Sequence, residues 1–498
     1  MNRREFLGVA GAAVAFPYIM KFGREAQAQT LRVRRNLSTL RADDPFFAAY
    51  GQAIRKLHEA DQSRRQSWRG QSLIHADFCA HGRDDFFLWH RHYITFFERI
   101  CGEAIGDRNF ALPYWDWTAN NGRLPQPFFD NGPLNVTFWN DPSGYQSDNW
   151  SEERINTRGT RAITATRGLR DDPQRGGEFR PEAINGILRL SNFANFQTRL
   201  EGSPHDNGHV ISGGRTGHMG NGLSPLDPIF WLHHCNVDRL FAQWQAARNR
   251  VPAQSRSYNQ QFVDASGTPQ SVTAAQAVEF TSLGYTYDIL AEQQVATRGL
   301  SQPESSPLAA RPIVEEPRVV GRNETAKPVK INNETEFTVQ AAGLVNNIFS
   351  TRSFRPESTP GPSPRVAVEE SRILARINVT AINADSRYAF VNVFINSPDP
   401  SPQSTIDSPF YAGSFSFFGA HPGQGMGAGG GGGHAGHQGH GGAQRTFLVD
   451  ASNALRQQAR EGRLNSEDVT VQVLPIPVEP GIEVNAQFTV TSVELISA

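Results

Sequence analysis

Apolar residues recur at helical spacing in several stretches of the N-terminal half of the chain, and alternate with polar ones in the C-terminal third. Within residues 45–61, Phe47, Tyr50, Ile54 and Leu57 share one helical face. A second helix carries His90, Ile94, Phe97 and Cys101 on its apolar face, and a short third one runs from Pro181 to Leu190. The stretch from Ser224 to Trp244 predicts a further helix, with Asp227 as N-cap and Pro228 in the first turn. Its inward face is Phe230, His234, Val237 and Phe241, with Asp238 and Arg239 at the edges. Residues 31–36 form a short extended arm. From Phe110 to about Gly177, Pro, Gly, Asn and Trp without a period predict an ordered connection at 111–117 and then surface loops. After Tyr287 a Pro- and Glu-containing tract reads as a linker. Beyond it, Glu336-Phe337-Thr338-Val339 and residues 387–394 alternate as strands, which suggests a small β-sandwich.

The expected architecture is therefore α+β and multidomain: a mainly helical domain over 29–290, a linker over 291–328, and a β-rich domain over 329–498. A Gly-rich tract at 419–442 within the last carries His434, His437 and His440 at a spacing of three. A length of 498 residues fits two or three domains, and 38% hydrophobic residues with 32 Phe and 8 Trp suffice for a large core. A net charge of −1 gives no reason to expect nucleic acid or an anionic membrane as partner. Residues 1–28 read as a targeting segment. Arg3-Arg4 resembles a twin-arginine export signal, Gly8 to Phe16 is too short to span a membrane, and Ala26-Gln27-Ala28 offers a cleavage site. The mature protein is expected in the periplasm or outside the cell. Three cysteines, Cys79, Cys101 and Cys235, do not make a disulfide scaffold.

Histidine changes this picture. A single histidine on an apolar face is ordinarily a core residue, but His234 has company. His75, His81 and His90 come from one helix-loop-helix, with Gly82 freeing the loop. His205 and His209 stand one helical turn apart and join His234. Imidazole suits copper, zinc, iron and nickel, whereas the scarcity of acidic and thiolate ligands argues against calcium, magnesium and structural zinc. Two three-histidine sets on facing helices are how a bundle holds a dinuclear centre. His58, among charged neighbours, is expected at the surface. His92 lies about 200° from His90 around the helix and is expected to be exposed or to support a ligand.

The residues resemble a family. His81 followed by Phe86-Phe87-Leu88-Trp89-His90-Arg91 and Glu98, and Asp227-Pro228-Ile229-Phe230-Trp231-Leu232-His233-His234 followed by Asp238, are similar to the two copper signatures of tyrosinases, catechol oxidases and molluscan hemocyanins. The likeness covers roughly residues 31–290 and includes Tyr285-Thr286-Tyr287, a motif that in the family packs near an N-terminal arginine, here Arg32 or Arg34. It implies two copper ions, one on His75, His81 and His90 and the other on His205, His209 and His234, with dioxygen as co-substrate. His233 is expected to donate a supporting hydrogen bond. Cys79 resembles the cysteine that forms a thioether with a ligand histidine, here His81. Glu201 stands where the family places a carboxylate that holds a water, and Asp206 stands where many tyrosinases have Asn. The implied activity is oxidation of a small phenol, o-diphenol to o-quinone, with ortho-hydroxylation of monophenols. Its alternatives are a catechol or o-aminophenol oxidase and a hemocyanin-like oxygen carrier. The C-terminal region resembles the shielding domain of long polyphenol oxidases, with Phe415, Phe417 and Phe418 as candidates to fill the substrate position.

Overall fold

The computed structural model describes residues 31–139, 159–248, 255–290, 317–349, 351–354, 367–418, 444–464 and 466–498. The export segment and the Gly/His tract lie outside them, as does most of the expected linker.

The helical unit opens with strand β1 (Arg32–Arg34) and continues through α1 (Pro45–Glu59), α2 (Trp68–Phe78) and α3 (Phe86–Ile105). Each start has a local cause. The Asp44 carboxylate accepts from Phe46 N ahead of Pro45, and Ser67 Oγ accepts from Gly70 N. After a long connection come α4 (Pro181–Leu188), α5 (Phe193–Leu200), a π-helical turn (Glu201–His205), α6 (Asp206–Gly213) and α7 (Ile229–Arg248). A hairpin, β2 (Ser257–Val263) with β3 (Pro269–Thr273), and the short β4 (Tyr285–Tyr287) complete the unit.

A buried charge network locks α3 to α7. Strand β1 pairs in parallel with β4, which sets Arg34 opposite Tyr287. Arg34 donates to both Glu98 oxygens on α3 at 2.9 and 2.7 Å, and to Asp238 on α7 at 3.0 Å. Asp238 also accepts from Arg91 at 2.5 Å and from the Tyr285 and Tyr287 hydroxyls at 2.5 and 2.6 Å. Burial pushes the Asp238 carboxyl up, but Arg91 and Arg34 pull harder and leave it below its ordinary value. Of the two candidate arginines, Arg34 is the one under the tyrosine pair, with its guanidinium 3.6 Å over the Tyr285 ring. Asp238→Ala would leave two buried cations short of a partner. It is expected to destabilise the chain by about 3–5 kcal/mol, read as a lowered denaturant midpoint.

The C-terminal unit is an antiparallel sheet built from β5 (Arg318–Asn323), β6 (Lys327–Lys330), β7 (Thr335–Gln340), β10 (Ile373–Thr380), β11 (Ala389–Ile395), β12 (Tyr411–Ser416), β13 (Arg445–Asp450), β14 (Asp468–Pro477) and β15 (Gln487–Ser497). A separate hairpin joins β8 (Thr351–Phe354) to β9 (Ala367–Glu370). The main order is β12-β11-β14-β7-β5-β15-β10-β13, with β6 on β15. The expected α+β arrangement is therefore present. Its strands are hydrogen-bonded into one antiparallel sheet whose end strands approach, so that Phe415 of β12 stacks on Phe447 of β13 at 4.1 Å. Strand β5 and the first half of β6 lie within the stretch expected to be linker, because their residues find partners on β15.

Strand β11 is buried on both faces. Val391, Val393 and Ile395 point into the sheet's own core, whereas Phe390 and Phe394 join the core of the helical unit. The sheet thus packs on the helices by its outer face, with the Arg175 guanidinium 4.1 Å over the Phe390 ring.

Candidate metal centre

The helices α2, α3, α6 and α7 bring the six predicted histidines into one buried cluster. His75 lies in the last turn of α2, His90 on α3, His209 on α6 and His234 on α7. His81 sits in the loop after α2, and His205 ends the π-helical turn. Within the first predicted set the ring centroids are 5.2 to 5.7 Å apart. Within the second they are 4.7 to 5.4 Å apart. The sets face each other: His90 stacks on His234 at 4.3 Å, and His81 lies 5.4 Å from His205. His234 comes within reach of His75 and His90 as well as of His205 and His209, so it stands at the seam.

The ring orientations suit metal binding. His75, His90 and His209 use Nδ1 against the carbonyls of Gly222, Phe86 and Met219 at 2.8, 2.8 and 2.9 Å, and His205 uses Nδ1 against Asp206 Oδ1 at 2.9 Å. A carbonyl only accepts, so each such Nδ1 carries the proton and leaves the Nε2 lone pair for a metal. Among the described residues Nε2 of His81, His90 and His205 has no hydrogen-bond partner, a costly state for buried nitrogens unless something else binds them. His209 Nε2 and His234 Nε2 converge to 3.3 Å. Burial lowers His205 to about 3 and takes His81, His90, His209 and His234 well below the ordinary histidine range. All are neutral, as ligands must be.

The carbonyl partners Met219 and Gly222 have no signature in the sequence. What points to them is the glycine-rich run that ends α6. A Cβ on Gly213 would stand 2.2 Å from Gly220 N, so only glycine lets the loop fold back onto the histidines.

His233 is buried and within reach of His205, His209 and His234, with the His205 main chain beside its ring. Its ring packs on Trp117 at 4.9 Å, and a Cβ on Gly208 would meet its Cε1 at 2.6 Å. It supports the site by packing. His92 is buried rather than exposed, with Nε2 on the Thr273 carbonyl at 2.9 Å, because the β2–β3 hairpin covers that side of α3. His58, expected at the surface, is half-buried and stacks on Trp139 at 3.7 Å.

The two carboxylates lie beside His205. Glu201 accepts from Gly82 N, next to His81. Burial and the neighbouring Asp206 push Glu201 up to about 8. Burial raises Asp206 to about 7, with Arg445 pulling the other way. Arg445 belongs to the C-terminal sheet. It reaches Asp206 at 3.3 Å and donates to the Phe418 carbonyl at 2.9 Å. The Phe418 ring stacks on His209 at 3.8 Å and 9°, and meets His81 edge-on at 5.2 Å. Phe415 and Phe417 instead fill the core of the sheet. Cys79 Sγ lies 3.2 Å from His81 Nδ1.

A buried, all-histidine centre on a helical frame, with an aromatic side chain from a second unit laid over it, is the class of site that fold and geometry define. A family model described as the common central domain of tyrosinase matches residues 50–247. The chain is 31% identical over 266 residues to a tyrosinase of Streptomyces glaucescens, covering 49% of this chain and 89% of that protein. It is 26% identical over 420 residues to the chloroplastic (+)-larreatricin hydroxylase of Larrea tridentata, covering 75% of this chain and 66% of the relative. It spans just under two thirds of the length of such plant relatives. The structure of latent apple tyrosinase has the same fold, with a TM-score of 0.54 at 18% identity, covering 94% of this chain and 98% of that one. The chain belongs to the tyrosinase family.

Proposed function

We propose that this protein oxidises phenols with dioxygen at a dinuclear copper centre, taking o-diphenols to o-quinones and hydroxylating monophenols ortho to the hydroxyl. The observation that carries this reading is the convergence of six buried imidazoles whose Nδ1 atoms are largely tied elsewhere. His75, His81 and His90 would hold one copper, and His205, His209 and His234 the other. Bound copper supplies the redox chemistry with dioxygen. The protein supplies ligand geometry, a dry site and a surface for the substrate ring. The His209 face now covered by Phe418 is where that ring would stack.

Asp206 orients His205 through Nδ1 and, with Glu201, offers an acceptor for the phenol proton. Asn at 206 would still accept from His205 but would lose the charge. In a Phe418→Ala background, Asp206→Asn is expected to slow tyrosine hydroxylation about 10²-fold, the scale of a lost general base, with catechol oxidation changed far less. A Phe418→Ala chain that oxidises catechol but leaves tyrosine untouched before any change at 206 would favour the second reading, a catechol oxidase without hydroxylation. That reading draws on the engagement of Asp206 with His205 and Arg445. An oxygen carrier would bind dioxygen and turn over neither substrate.

Cys79 and His81 are placed for a thioether between them. Its formation removes two hydrogens, so the intact mass is expected about 2 Da below the sequence value, with Cys79 inert to alkylation after denaturation. A freely alkylated Cys79 in the copper-loaded, then denatured chain would refute the bond. Residues 1–28 would direct export. Among the described residues no helix is long and apolar enough to cross a membrane.

A further inference from the structure

The strand that carries Phe418 to the site is held by its main chain. Strand β12 is an edge of its sheet, with β11 on one side only. On the other side, side chains of the helical unit stand where a further strand would. Glu178 Oε1 accepts from Ser414 N at 2.9 Å, and Ser203 Oγ donates to Ser414 O at 2.6 Å. Asn207 Nδ2 donates to Ser414 Oγ at 3.0 Å. Glu178, Ser203 and Asn207 are all buried, and Arg199 fixes Glu178 from behind at 2.5 Å. Asn207 Oδ1 has no hydrogen-bond partner, which leaves an acceptor for one more donor. Glu178 and Ser203 read an N–H and a C=O of the same residue, so their part of the contact depends little on what that residue is, while Asn207 reads its hydroxyl.

The side chains sort by parity. Phe415 and Phe417 enter the core of the sheet, whereas the Phe418 ring lies in the core of the helical unit, on His209. Four residues separate Ser414 from Phe418, about 13 Å of extended chain.

We propose that Glu178, Ser203 and Asn207 form a subsite for an extended polypeptide, so that the enzyme acts on phenol rings carried four residues after the residue whose main chain is bound. Strand β12 occupies this subsite as a built-in pseudosubstrate, inert only because Phe418 has no hydroxyl. The inference rests on the phenol-oxidase reading above and names a substrate class for it. A catechol in place of the Phe418 ring would give up two electrons and two protons and become an o-quinone. Each chain carries one such ring, so the other two electrons that take one dioxygen to two waters would come from the chain's own cuprous ions, with two protons from solvent.

The test uses the intact, copper-loaded chain with 3,4-dihydroxyphenylalanine installed at position 418 by stop-codon suppression. Oxygen is admitted to the anaerobic protein, and peptide mapping follows loss of two hydrogens at 418. Oxidation is expected to be copper-dependent and first-order at a rate independent of chain concentration. Ser203→Ala, a mild change, and Glu178→Gln should each slow it about tenfold or more. A ring that stays reduced at 418 while the Phe418→Ala chain oxidises free 4-methylcatechol would overturn the subsite, as would an unchanged rate in both variants. Failure of the Phe418→Ala chain on free catechol would instead sink the phenol-oxidase reading, and the subsite with it.

Discussion

His234→Ala is expected to lose the copper held by His205 and His209 and to reduce phenol oxidation to about 10⁻⁴ of the parent rate or less, because the electron chemistry belongs to the metal pair. His234 lies on the inward face of α7, stacked on His90 and converging with His209 at their Nε2 atoms. Asp238 fixes the helix that carries His234 to α3 through Arg91 and Arg34. The contrast is His233→Ala. His233 packs between Trp117 and α6, so its loss leaves a cavity beside the site. That variant should keep measurable copper at both positions. Metal analysis of the two variants after identical copper loading checks the pair, and equal copper in both would refute the assignment.

Phe418→Ala is expected to raise turnover of a small catechol by the intact chain about tenfold or more. The ring stacks on His209 and is edge-on to His81, so it takes the face a phenol would need. An aromatic pair of this kind contributes about 0.5–1.5 kcal/mol beyond its buried area, and 1.4 kcal/mol corresponds to a factor of ten in the fraction of open sites. Phe415→Ala and Phe417→Ala remove core contacts of the sheet and should lower stability before they open the site. Initial rates at saturating copper separate these outcomes. A Phe418→Ala chain as slow as the parent would show that the ring does not gate access.

The helices and the inward-facing histidines were legible because their signals are local. His90 and His234 fall on apolar faces at helical spacing, and Asp227 marks a helix start that the structure keeps, with its carboxylate accepting from Ile229 N. The main-chain partners were not legible. Met219 and Gly222 serve through their carbonyls, which every residue has, and only the glycines that let the loop turn back hinted at them. Distant segments decided the rest. His92 and His58 look exposed by helical period, but the β2–β3 hairpin and Trp139 cover them. Alternation revealed strands but not how the sheet curls, since closure depends on which edges meet. Strand parity assigns Phe415 and Phe417 to one face, and only the docked structure shows that the other face of β12 meets the metal centre. In sequence, Asp206 differs from the Asn of many tyrosinases. In the folded chain it is first the acceptor for His205 Nδ1 and the partner of Arg445.

The most direct test of the account is the copper content of the reconstituted, dialysed chain, measured with catechol-dependent oxygen consumption on the Phe418→Ala background. Two copper ions per chain are expected, falling to one in His234→Ala and to one in His90→Ala, with oxygen consumption lost in both. A single copper in the unsubstituted ligand set, or oxygen consumption that survives loss of either half, would contradict a centre built from two facing sets of three histidines.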